Sequence, residues 1–353
     1  MTILVTGGAG FVGSSLALFL KEGDPGLRVL ALDNLRRRGS ELNLRRLQAA
    51  GVEFVHGDIR NREDLELPSK VDLVVECSAE PSVLAGLDSS PEYVLRTNLV
   101  GTLNLLEVCR RHDAGMIFLS TSRVYPIAAL SSLALDEGPT RFEIASRQEL
   151  GGVSTEGIAE EFPLAGARSL YGATKLASEL FIEEYAYAYG VPAVIDRCGV
   201  IAGPWQMGRV DQGFVVLWVA GHVYERPLRY IGFGGSGKQV RDVLHIADLC
   251  ELIALQVARL DTLKGQTFNV GGGRSCSVSL LELTELCRDA TGTSLTIRPD
   301  AATRRADVPL YVTDAKRVRA ALEWTPSRNM ESIVADVHTW IRTHQRELAG
   351  ILA

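Results

Sequence analysis

A tyrosine and a lysine four residues apart, Tyr171 and Lys175, have the types and the spacing for proton chemistry. In a helix this spacing puts both side chains on one face, about one turn apart. An ammonium group near a phenol stabilises the phenolate and lowers the pKa of the tyrosine toward neutral. Such a pair could take the proton of a sugar hydroxyl while the carbon loses hydride. Because the spacing also occurs by chance in many helices, other segments must support this role.

Support comes from hydroxyl side chains at the end of an apolar run at 115–120. Ser120, Thr121 and Ser122 follow one another there. A hydroxyl at this strand end could hydrogen-bond the same substrate oxygen that the tyrosine deprotonates. The alternative role for these residues is capping of the strand end.

The first residues of the chain carry a second chemical motif, three glycines at three-residue spacing between an apolar β-branched run and an apolar helical pattern. Gly7 would permit a tight turn, Gly10 would let a pyrophosphate approach the backbone, and Gly13 would let the helix close on the strand. The N-terminus of that helix offers N–H groups to the anion. These residues predict a dinucleotide-binding loop.

Acidic residues after the next two predicted strands extend this site. Asp33 ends the segment 28–33, twenty residues after Gly13, where a carboxylate would accept hydrogen bonds from an adenosine ribose. Its charge would repel a 2′-phosphate, so NAD is favoured over NADP, although the arginines at 36–38 could hold such a phosphate. Asp58, after the third strand, could reach the adenine, or it could be a turn or helix-cap residue.

The elements that must position these residues alternate between strand and helix over the first two hundred residues. This pattern predicts an α/β fold with a doubly wound Rossmann parallel sheet and a smaller C-terminal substrate-binding lobe. We expect a Rossmann domain at 1–198, with an insert at about 126–168, and a lobe at 199–353 that is interleaved with it. The strand candidates are 2–6, 28–33, 52–56, 71–77, 115–120 and 191–197.

The insert is unusual because 44 residues separate Val124 from Ser169 where a short connection would suffice. Long ordered loops in compact domains are often lids, and a disordered insert is the alternative.

Composition excludes several classes of function. The chain of 353 residues has a net charge of −6, which gives no electrostatic footprint for nucleic acid or an anionic membrane surface. Its longest apolar run is too short to span a bilayer, and we expect no signal peptide before the first strand. Six scattered cysteines and six histidines lack metal-ligand spacing, so we expect no metal and a reducing, cytoplasmic location.

Several motifs resemble, in order, those of the extended short-chain dehydrogenases/reductases of the nucleotide-sugar epimerase and dehydratase family. They are TGGAGFVG, HGDIR, STSRVY and YGATK. The resemblance implies that NAD is the cofactor, that Tyr171 is the base, that Lys175 binds the nicotinamide ribose and tunes Tyr171, and that Thr121 is the hydroxyl partner. The cofactor-binding residues it implies are Gly7, Gly10, Phe11, Val12, Asp33, Asn34, Asp58, Ile59, Ala79, Asn98, Tyr171 and Lys175.

Segments at 33–40, 211–214, 237–245 and 304–307 are similar to the branch of this family that epimerises CDP-hexoses at C2. In that branch C-terminal arginines hold the diphosphate, which implies this role for Arg241 and Arg304; a guanidinium fork suits phosphate oxygens. Surface solvation is the alternative for Arg304. The implied substrate-binding residues are Glu80, Arg123, Gln212, Arg241 and Arg304.

The resemblance implies an NAD-dependent epimerase of a nucleotide-diphosphate sugar that works by transient oxidation and re-reduction. Ser122 and Arg123 stand where 4,6-dehydratases carry their acid and base, which argues against dehydration. A UDP-sugar C4-epimerase or a UDP-glucuronate decarboxylase is the alternative, and a non-catalytic NAD(H)-binding regulator is a further one. Glu76 and Glu80 stand where the family has neutral residues, and they could act as acid/base groups or shape the sugar pocket.

The predicted helices 90–111 and 171–189 carry more apolar residues than one sheet-facing stripe needs. The resemblance implies that they pair across a two-fold axis in a four-helix bundle, which predicts a homodimer. Burial of the extra residues in the core is the alternative.

Overall fold

The computed structural model of the protein describes residues 1–67, 69–87, 89–209 and 212–352. Its strands are β1 (Thr2–Thr6), β2 (Arg28–Asp33), β3 (Glu53–His56), β4 (Leu73–Glu76), β5 (Gly115–Thr121), β6 (Leu135–Glu137), β7 (Phe142–Ile144), β8 (Val153–Ser154), β9 (Gly157–Ile158), β10 (Ala193–Cys198), β11 (Val200–Ala202), β12 (Arg229–Ile231), β13 (Val240–His245), β14 (Gln266–Val270), β15 (Ser277–Ser279), β16 (Arg298–Asp300) and β17 (Leu310–Tyr311).

The α-helices are α1 (Phe11–Gly23), α2 (Asn43–Ala49), α3 (Glu92–Leu95), α4 (Gly101–His112), α5 (Ile127–Ser131), α6 (Leu170–Tyr189), α7 (Phe214–Val223), α8 (Ile246–Ala258), α9 (Leu260–Leu263), α10 (Leu280–Thr291), α11 (Lys316–Leu322), α12 (Met330–Thr343) and α13 (Gln345–Leu352). Single 3₁₀ turns lie at Ser40–Leu42, Glu63–Leu65, Ser122–Val124, Phe233–Gly235 and Arg274–Cys276, and a π-helical segment lies at Arg96–Val100.

A seven-stranded sheet with the order β14-β10-β5-β4-β1-β2-β3 forms the centre of the Rossmann part. The registers from β3 through β2, β1 and β4 to β5 are parallel. Strands β1 and β4 are almost entirely buried, as expected for strands covered on both faces. The predicted doubly wound α/β fold is confirmed, and all six predicted strands form, with their ends within two residues of the expected positions.

By contacts along the chain, the protein divides into two compact units. Unit 1 comprises Met1–Val124, Leu170–Arg197 and Leu249–Phe268, and unit 2 comprises Tyr125–Ser169, Cys198–Asp248 and Asn269–Ala353. The segment 125–169 thus belongs to unit 2 and 249–268 to unit 1. Compact units do not by themselves establish independently folding domains, so the division near residue 198 stays a prediction.

The helical pattern at 90–111 is interrupted, because α3 passes through the π-helical segment Arg96–Val100 before α4 begins at Gly101. A Cβ added at Gly101 would lie 2.4 Å from Cδ1 of Ile59, so the Ile59 side chain packs closely against this glycine. Single π-turns inside helices are frequent at functional sites. This one contains Asn98, a predicted cofactor-side residue.

The predicted insert is folded within unit 2. It contains α5 and two antiparallel hairpins, β6–β7 and β8–β9. Ile158 in the second hairpin forms hydrogen bonds with another segment of unit 2. Its N–H donates to Val312 O at 2.8 Å, and its carbonyl accepts from Asp314 N at 2.9 Å. These hydrogen bonds favour an ordered segment over the disordered alternative.

Candidate active site

The glycine loop between β1 and α1 brings backbone atoms close together at its glycines. Gly7 has a φ of 61°, and a Cβ at Gly13 would lie 2.2 Å from the carbonyl oxygen of Gly7. The Gly10 N–H donates to the Gly7 carbonyl at 2.9 Å and Gly10 caps α1, whose first residues are Phe11 and Val12. The first N–H groups of a helix have no partner within it. A Cβ at Gly7, Gly10 or Gly13 would crowd neighbouring backbone atoms, and this close backbone fits a phosphate-binding loop.

Asp33 holds this loop in place from the end of β2. Its Oδ2 accepts from the Ala9 N–H at 3.1 Å and its Oδ1 from the Leu35 N–H at 2.8 Å. Burial raises the pKa of the Asp33 carboxyl, while these backbone hydrogen bonds act in the opposite direction. Because backbone N–H groups use only part of its acceptor capacity, a ribose hydroxyl could still bind to the carboxylate.

Asn34 and Asp58 come together at the neighbouring strand end. The Asn34 amide donates to Asp58 Oδ2 at 2.9 Å, and Arg60 donates to both Asp58 oxygens at 2.9 and 2.5 Å. The hydrogen bonds from Arg60 hold the pKa of Asp58 well below its ordinary value. Buried Ile59 follows, and its carbonyl accepts from the Asn104 amide at 2.9 Å. The adenine side of the predicted site is therefore an ordered polar cluster.

Arg60 and Tyr93 were not predicted from the sequence, although both belong to this cluster. The guanidinium carbons of Arg36 and Arg60 lie 4.0 and 5.0 Å from the centroid of the Tyr93 ring. Such cation–π contacts stabilise both arginines. Arg60 follows Asp58 by two residues, which was an available signal, whereas Tyr93 is distant in sequence.

Asn98 joins the loop after β4 to helix α6. It is fully buried, its Oδ1 accepts from the Glu80 N–H at 2.7 Å, and its amide donates to the Glu80 carbonyl at 3.0 Å and to Thr174 Oγ1 at 3.2 Å. The Ser178 hydroxyl also donates to the Asn98 carbonyl at 3.0 Å. These contacts fix the predicted substrate residue Glu80 and half-buried Ala79 relative to α6.

The predicted catalytic residues lie on β5 and α6. Thr121 ends β5 and is buried, and its Oγ1 accepts from the Arg123 N–H at 3.2 Å. Helix α6 packs against the turn at 122–124. It presents half-buried Tyr171 and, one turn later, Lys175, which is only 1% exposed. The Lys175 ammonium lies 3.8 Å from the centroid of the Phe118 ring.

A buried ion pair anchors α6 to the sheet and was missed by the sequence reasoning. Arg197 at the end of β10 and Glu179 of α6 are paired at 2.7 Å, and the Ser120 hydroxyl donates to the same carboxylate. Glu179 follows Lys175 by four residues, as Lys175 follows Tyr171, so the spacing was available as a signal. Ser120, a candidate substrate contact, thus has a structural partner.

The remaining predicted substrate residues lie in unit 2. The guanidinium of Arg241 donates to Asp307 Oδ1, to Val308 O and to Val240 O, each at 2.7 Å. Burial lowers the pKa of Arg241, and Asp307 and Asp242 counter this effect. Half-buried Arg304 begins the turn that carries Asp307, since its carbonyl accepts from the Asp307 N–H at 3.1 Å. Arg241 therefore contacts the turn that Arg304 begins, and we call Arg241, Arg304 and Asp307 the arginine cluster.

Gln212 is half-buried, and its backbone is bridged to Arg209, with a hydrogen bond from its N–H to the Arg209 carbonyl at 3.1 Å. Its neighbour Asp211, part of the segment similar to the C2-epimerising branch, lies outside the described residues. Among the described residues, no three His, Cys, Asp or Glu side chains converge as a metal site requires. Within that same part of the chain, no helix has the length and the apolar character needed to cross a membrane.

Comparison with known proteins identifies the family. The profile of the NAD dependent epimerase/dehydratase family matches residues 3–271. The chain belongs to this family. It is 32% identical to the CDP-paratose 2-epimerase of Salmonella typhi over 96% of this chain and 99% of that one, and 30% identical to a dTDP-glucose 4,6-dehydratase of Actinoplanes sp. over 98% and 99%.

A solved structure agrees with this membership. The UDP-glucose 4-epimerase of Thermus thermophilus, in complex with NAD, is 27% identical and superimposes with a TM-score of 0.77, covering 97% of this chain and 99% of that one. The predicted cofactor, NAD, and the predicted class, an NAD-dependent enzyme among the nucleotide-sugar epimerases and dehydratases, are thereby confirmed. The predicted roles of individual site residues stay predictions.

Proposed function

We propose that this enzyme is an epimerase that inverts C2 of a CDP-hexose. The observation that carries epimerase chemistry is the arrangement on α6, where Lys175 is buried against Phe118 one turn after Tyr171. The choice of carbon and nucleotide is supported by the 32% identity to a CDP-paratose 2-epimerase over nearly the full length of both chains. Neither observation alone selects the substrate, so the proposal joins them.

In this mechanism the phenolate of Tyr171 takes the proton of the sugar hydroxyl and later returns it. The Lys175 ammonium, fixed by burial, favours the phenolate form of Tyr171. The Thr121 hydroxyl hydrogen-bonds the sugar oxygen as it becomes a carbonyl. NAD, when bound, would supply the reversible hydride chemistry that the inversion needs, with no net consumption of electrons.

We assign the cofactor to the glycine loop with Phe11 and Val12, to the strand-end residues Asp33, Asn34, Asp58 and Ile59, and to Ala79, Asn98, Tyr171 and Lys175. We assign the sugar nucleotide to Glu80, Arg123, Gln212, Arg241 and Arg304. The described hydrogen bonds of Arg241 use three of the five N–H donors of its guanidinium, so the group could bind a diphosphate oxygen while it keeps its contact with Asp307.

Dehydration is disfavoured although a 4,6-dehydratase is among the relatives. The acid and base of dehydratases are aspartate and glutamate at the positions that Ser122 and Arg123 occupy here. Neither a hydroxyl nor a guanidinium can remove a carbon-bound proton at neutral pH. Epimerisation needs no such pair.

A UDP-sugar C4-epimerase is the second candidate, and the likeness to the Thermus enzyme favours it. Both reactions use the same base and cofactor, so the nucleotide and the carbon distinguish them. The same residues that hold a nucleotide diphosphate would serve either substrate.

We also propose that the enzyme is a homodimer that works in the cytoplasm. On the two helical stretches expected at the interface, apolar side chains are exposed, with Leu95 at 39%, Val100 at 38%, Leu180 at 57% and Phe181 at 43%. Simple core burial does not account for these residues. A second copy would cover them in a four-helix bundle. The six free cysteines would stay reduced in the cytoplasm.

The experiment is to incubate the enzyme with CDP-, UDP- and dTDP-hexoses and to analyse the products by mass spectrometry and NMR. We expect a product of unchanged mass with inverted C2 from a CDP-hexose, and deuterium placed at that carbon should stay there. Inversion at C4 of a UDP-sugar would support the second candidate. Loss of water, loss of carbon dioxide or wash-out of the label would contradict the proposal.

A further inference from the structure

Glu76, the last residue of β4, is a buried carboxyl group beside the proposed catalytic lysine. It is 0% exposed. Its Oε1 accepts from the Thr102 hydroxyl of α4 at 2.7 Å, while its Oε2 accepts no hydrogen bond from any residue within the described ranges. A buried carboxylate oxygen left without a partner is costly and calls for a nearby positive charge.

The register of β4 with its neighbouring strands indicates where that positive charge lies. Glu76 is directly paired with Phe118 of β5 and with Thr6 of β1, and paired residues of neighbouring strands project from the same face of the sheet. The Lys175 ammonium lies over the Phe118 ring at 3.8 Å. Glu76 and Lys175 therefore meet on the face covered by α4 and α6. Both are buried, so water screens their interaction little.

Glu76 titrates in the physiological range in this environment. Burial raises the pKa of its carboxyl to about 7, and the Lys175 ammonium and the Thr102 hydroxyl act in the opposite direction. The other titratable groups that interact with it are the thiols of Cys77 and Cys109, whose pKa values are raised chiefly by burial. These thiols remain neutral, so Lys175 and Glu76 determine the local charge.

We propose that Glu76 is a positioning residue that holds the Lys175 ammonium and sets how strongly its charge acts on the Tyr171 phenol. This rests on the proposed function, in which Tyr171 is the base. When Glu76 is protonated, the charge of Lys175 acts in full and favours the Tyr171 phenolate. When Glu76 is ionised, the carboxylate cancels part of that charge and Tyr171 becomes harder to deprotonate.

The test measures the ionisation of Tyr171 in the NAD-loaded enzyme without any sugar. Phenolate absorbance is followed as pH rises, and the spectrum of the matching Tyr171→Phe protein is subtracted to isolate this tyrosine. For Glu76→Gln, which keeps the size and the Thr102 contact, we expect the midpoint to fall by about half a pKa unit or more. The curve should also sharpen to that of a single proton, because a coupled carboxyl broadens it.

The matched control is Asp196→Asn, which neutralises another fully buried carboxyl in the same sheet whose described partner is the Gln256 amide rather than a lysine. The midpoint of Tyr171 ionisation in this variant should match that in the wild type. An equal shift in both variants would show a general effect of buried charge and would overturn the proposal. So would a Glu76→Gln protein with a changed melting temperature and an unchanged midpoint.

A second variant covers the case in which Glu76→Gln does not fold. Thr102→Val retains the carboxyl but removes the hydrogen bond that favours its charged form, so Glu76 stays protonated to higher pH. The midpoint of Tyr171 ionisation should again fall, by less than in Glu76→Gln. An unchanged midpoint would overturn the proposal. Because the titration uses no sugar, it does not depend on the epimerase assay. If the midpoint shifts but the enzyme epimerises no CDP-hexose, only the proposed function is rejected.

Discussion

The charged groups at the strand ends of unit 1 and those of the arginine cluster in unit 2 differ in what already holds them. Asp33 accepts hydrogen bonds only from backbone N–H groups in its described contacts, those of Ala9 in the glycine loop and of Leu35. Arg241 is paired with the side chain of Asp307, 66 residues away, and with two carbonyls. A carboxylate that binds only backbone N–H groups keeps its charge and acceptor capacity for a ligand, whereas the charge of Arg241 is already paired with that of Asp307. Substitutions in the two regions should therefore differ in whether activity or stability is lost.

The largest expected effect is on activity without a change in the fold. Tyr171→Phe removes only the phenol oxygen of a half-buried residue. Loss of a general base costs roughly 10²–10⁴-fold in rate, so kcat for the CDP-hexose should fall by this factor while NAD affinity and melting temperature stay close to those of the wild type. Steady-state kinetics with calorimetric NAD binding checks this. Near-normal turnover would exclude Tyr171 as the base.

The arginine cluster should show the opposite behaviour. Arg241→Met leaves Asp307 without its ion-pair partner, and both side chains are mostly buried, at 12% and 24% exposure. We expect the free energy of unfolding to fall by about 2 kcal/mol, measured by urea denaturation. Arg304→Met should raise KM for the sugar nucleotide by about tenfold, because a guanidinium suits the oxygens of a diphosphate. An unchanged free energy of unfolding in Arg241→Met would contradict the structural role of Arg241.

The local geometry of the strand-end residues was predictable because each of them lies in a short local motif. Gly7, Gly10, Gly13 and Asp33 take part in the turn, cap and strand end that their spacing implied. Contacts between distant segments were not predictable in this way. The pairing of Arg241 with Asp307 and of Ser120 with Glu179 depends on how separate strands and loops meet.

The fold follows the same division. Long apolar strands such as β1 and β2 were predicted to the residue, whereas β14 at Gln266–Val270, which completes the central sheet beside β10, was not. Its five residues follow helix α9 and include the polar side chains Gln266, Thr267 and Asn269, so no apolar run marks this strand in the sequence. The π-helical segment at 96–100 was read as continuous helix, because side-chain periodicity does not register one inserted residue.

Asp196 extends the comparison to unit 1, because it is bound by another side chain, as Arg241 is bound by Asp307. It is fully buried and accepts from the Gln256 amide at 2.8 Å. Burial raises the pKa of its carboxyl from 3.8 to about 7. The pKa of the Asp196 carboxyl is thus higher in the folded protein than in the unfolded chain. Its contribution to the stability of the folded protein is therefore complete below about pH 4 and is lost as pH rises through about 7.

For Asp196→Asn we accordingly expect a smaller loss of stability with rising pH than in the wild type. At mildly alkaline pH the variant should be the more stable protein by about 2 kcal/mol, because no buried charge forms at this position. Urea denaturation across the pH range measures it, with Glu22→Gln, an exposed carboxyl of the same unit, as the control. Parallel curves for Asp196→Asn and wild type would contradict the expectation.

The smallest expected effect concerns the choice between NAD and NADP, where Asp33 acts as a group with capacity left for a ligand. Asp33→Asn is nearly isosteric but removes the charge that would repel a 2′-phosphate, so the preference for NAD should narrow by roughly tenfold, about 1.4 kcal/mol. Calorimetric titration of the apo-protein with each dinucleotide measures this ratio. Asp58→Asn is the control, because Arg60 already compensates the Asp58 charge at 2.5 Å. Asp58→Asn should weaken the binding of NAD and of NADP equally. If the preference for NAD narrowed in Asp58→Asn but not in Asp33→Asn, the discrimination would belong to the Asp58 cluster instead.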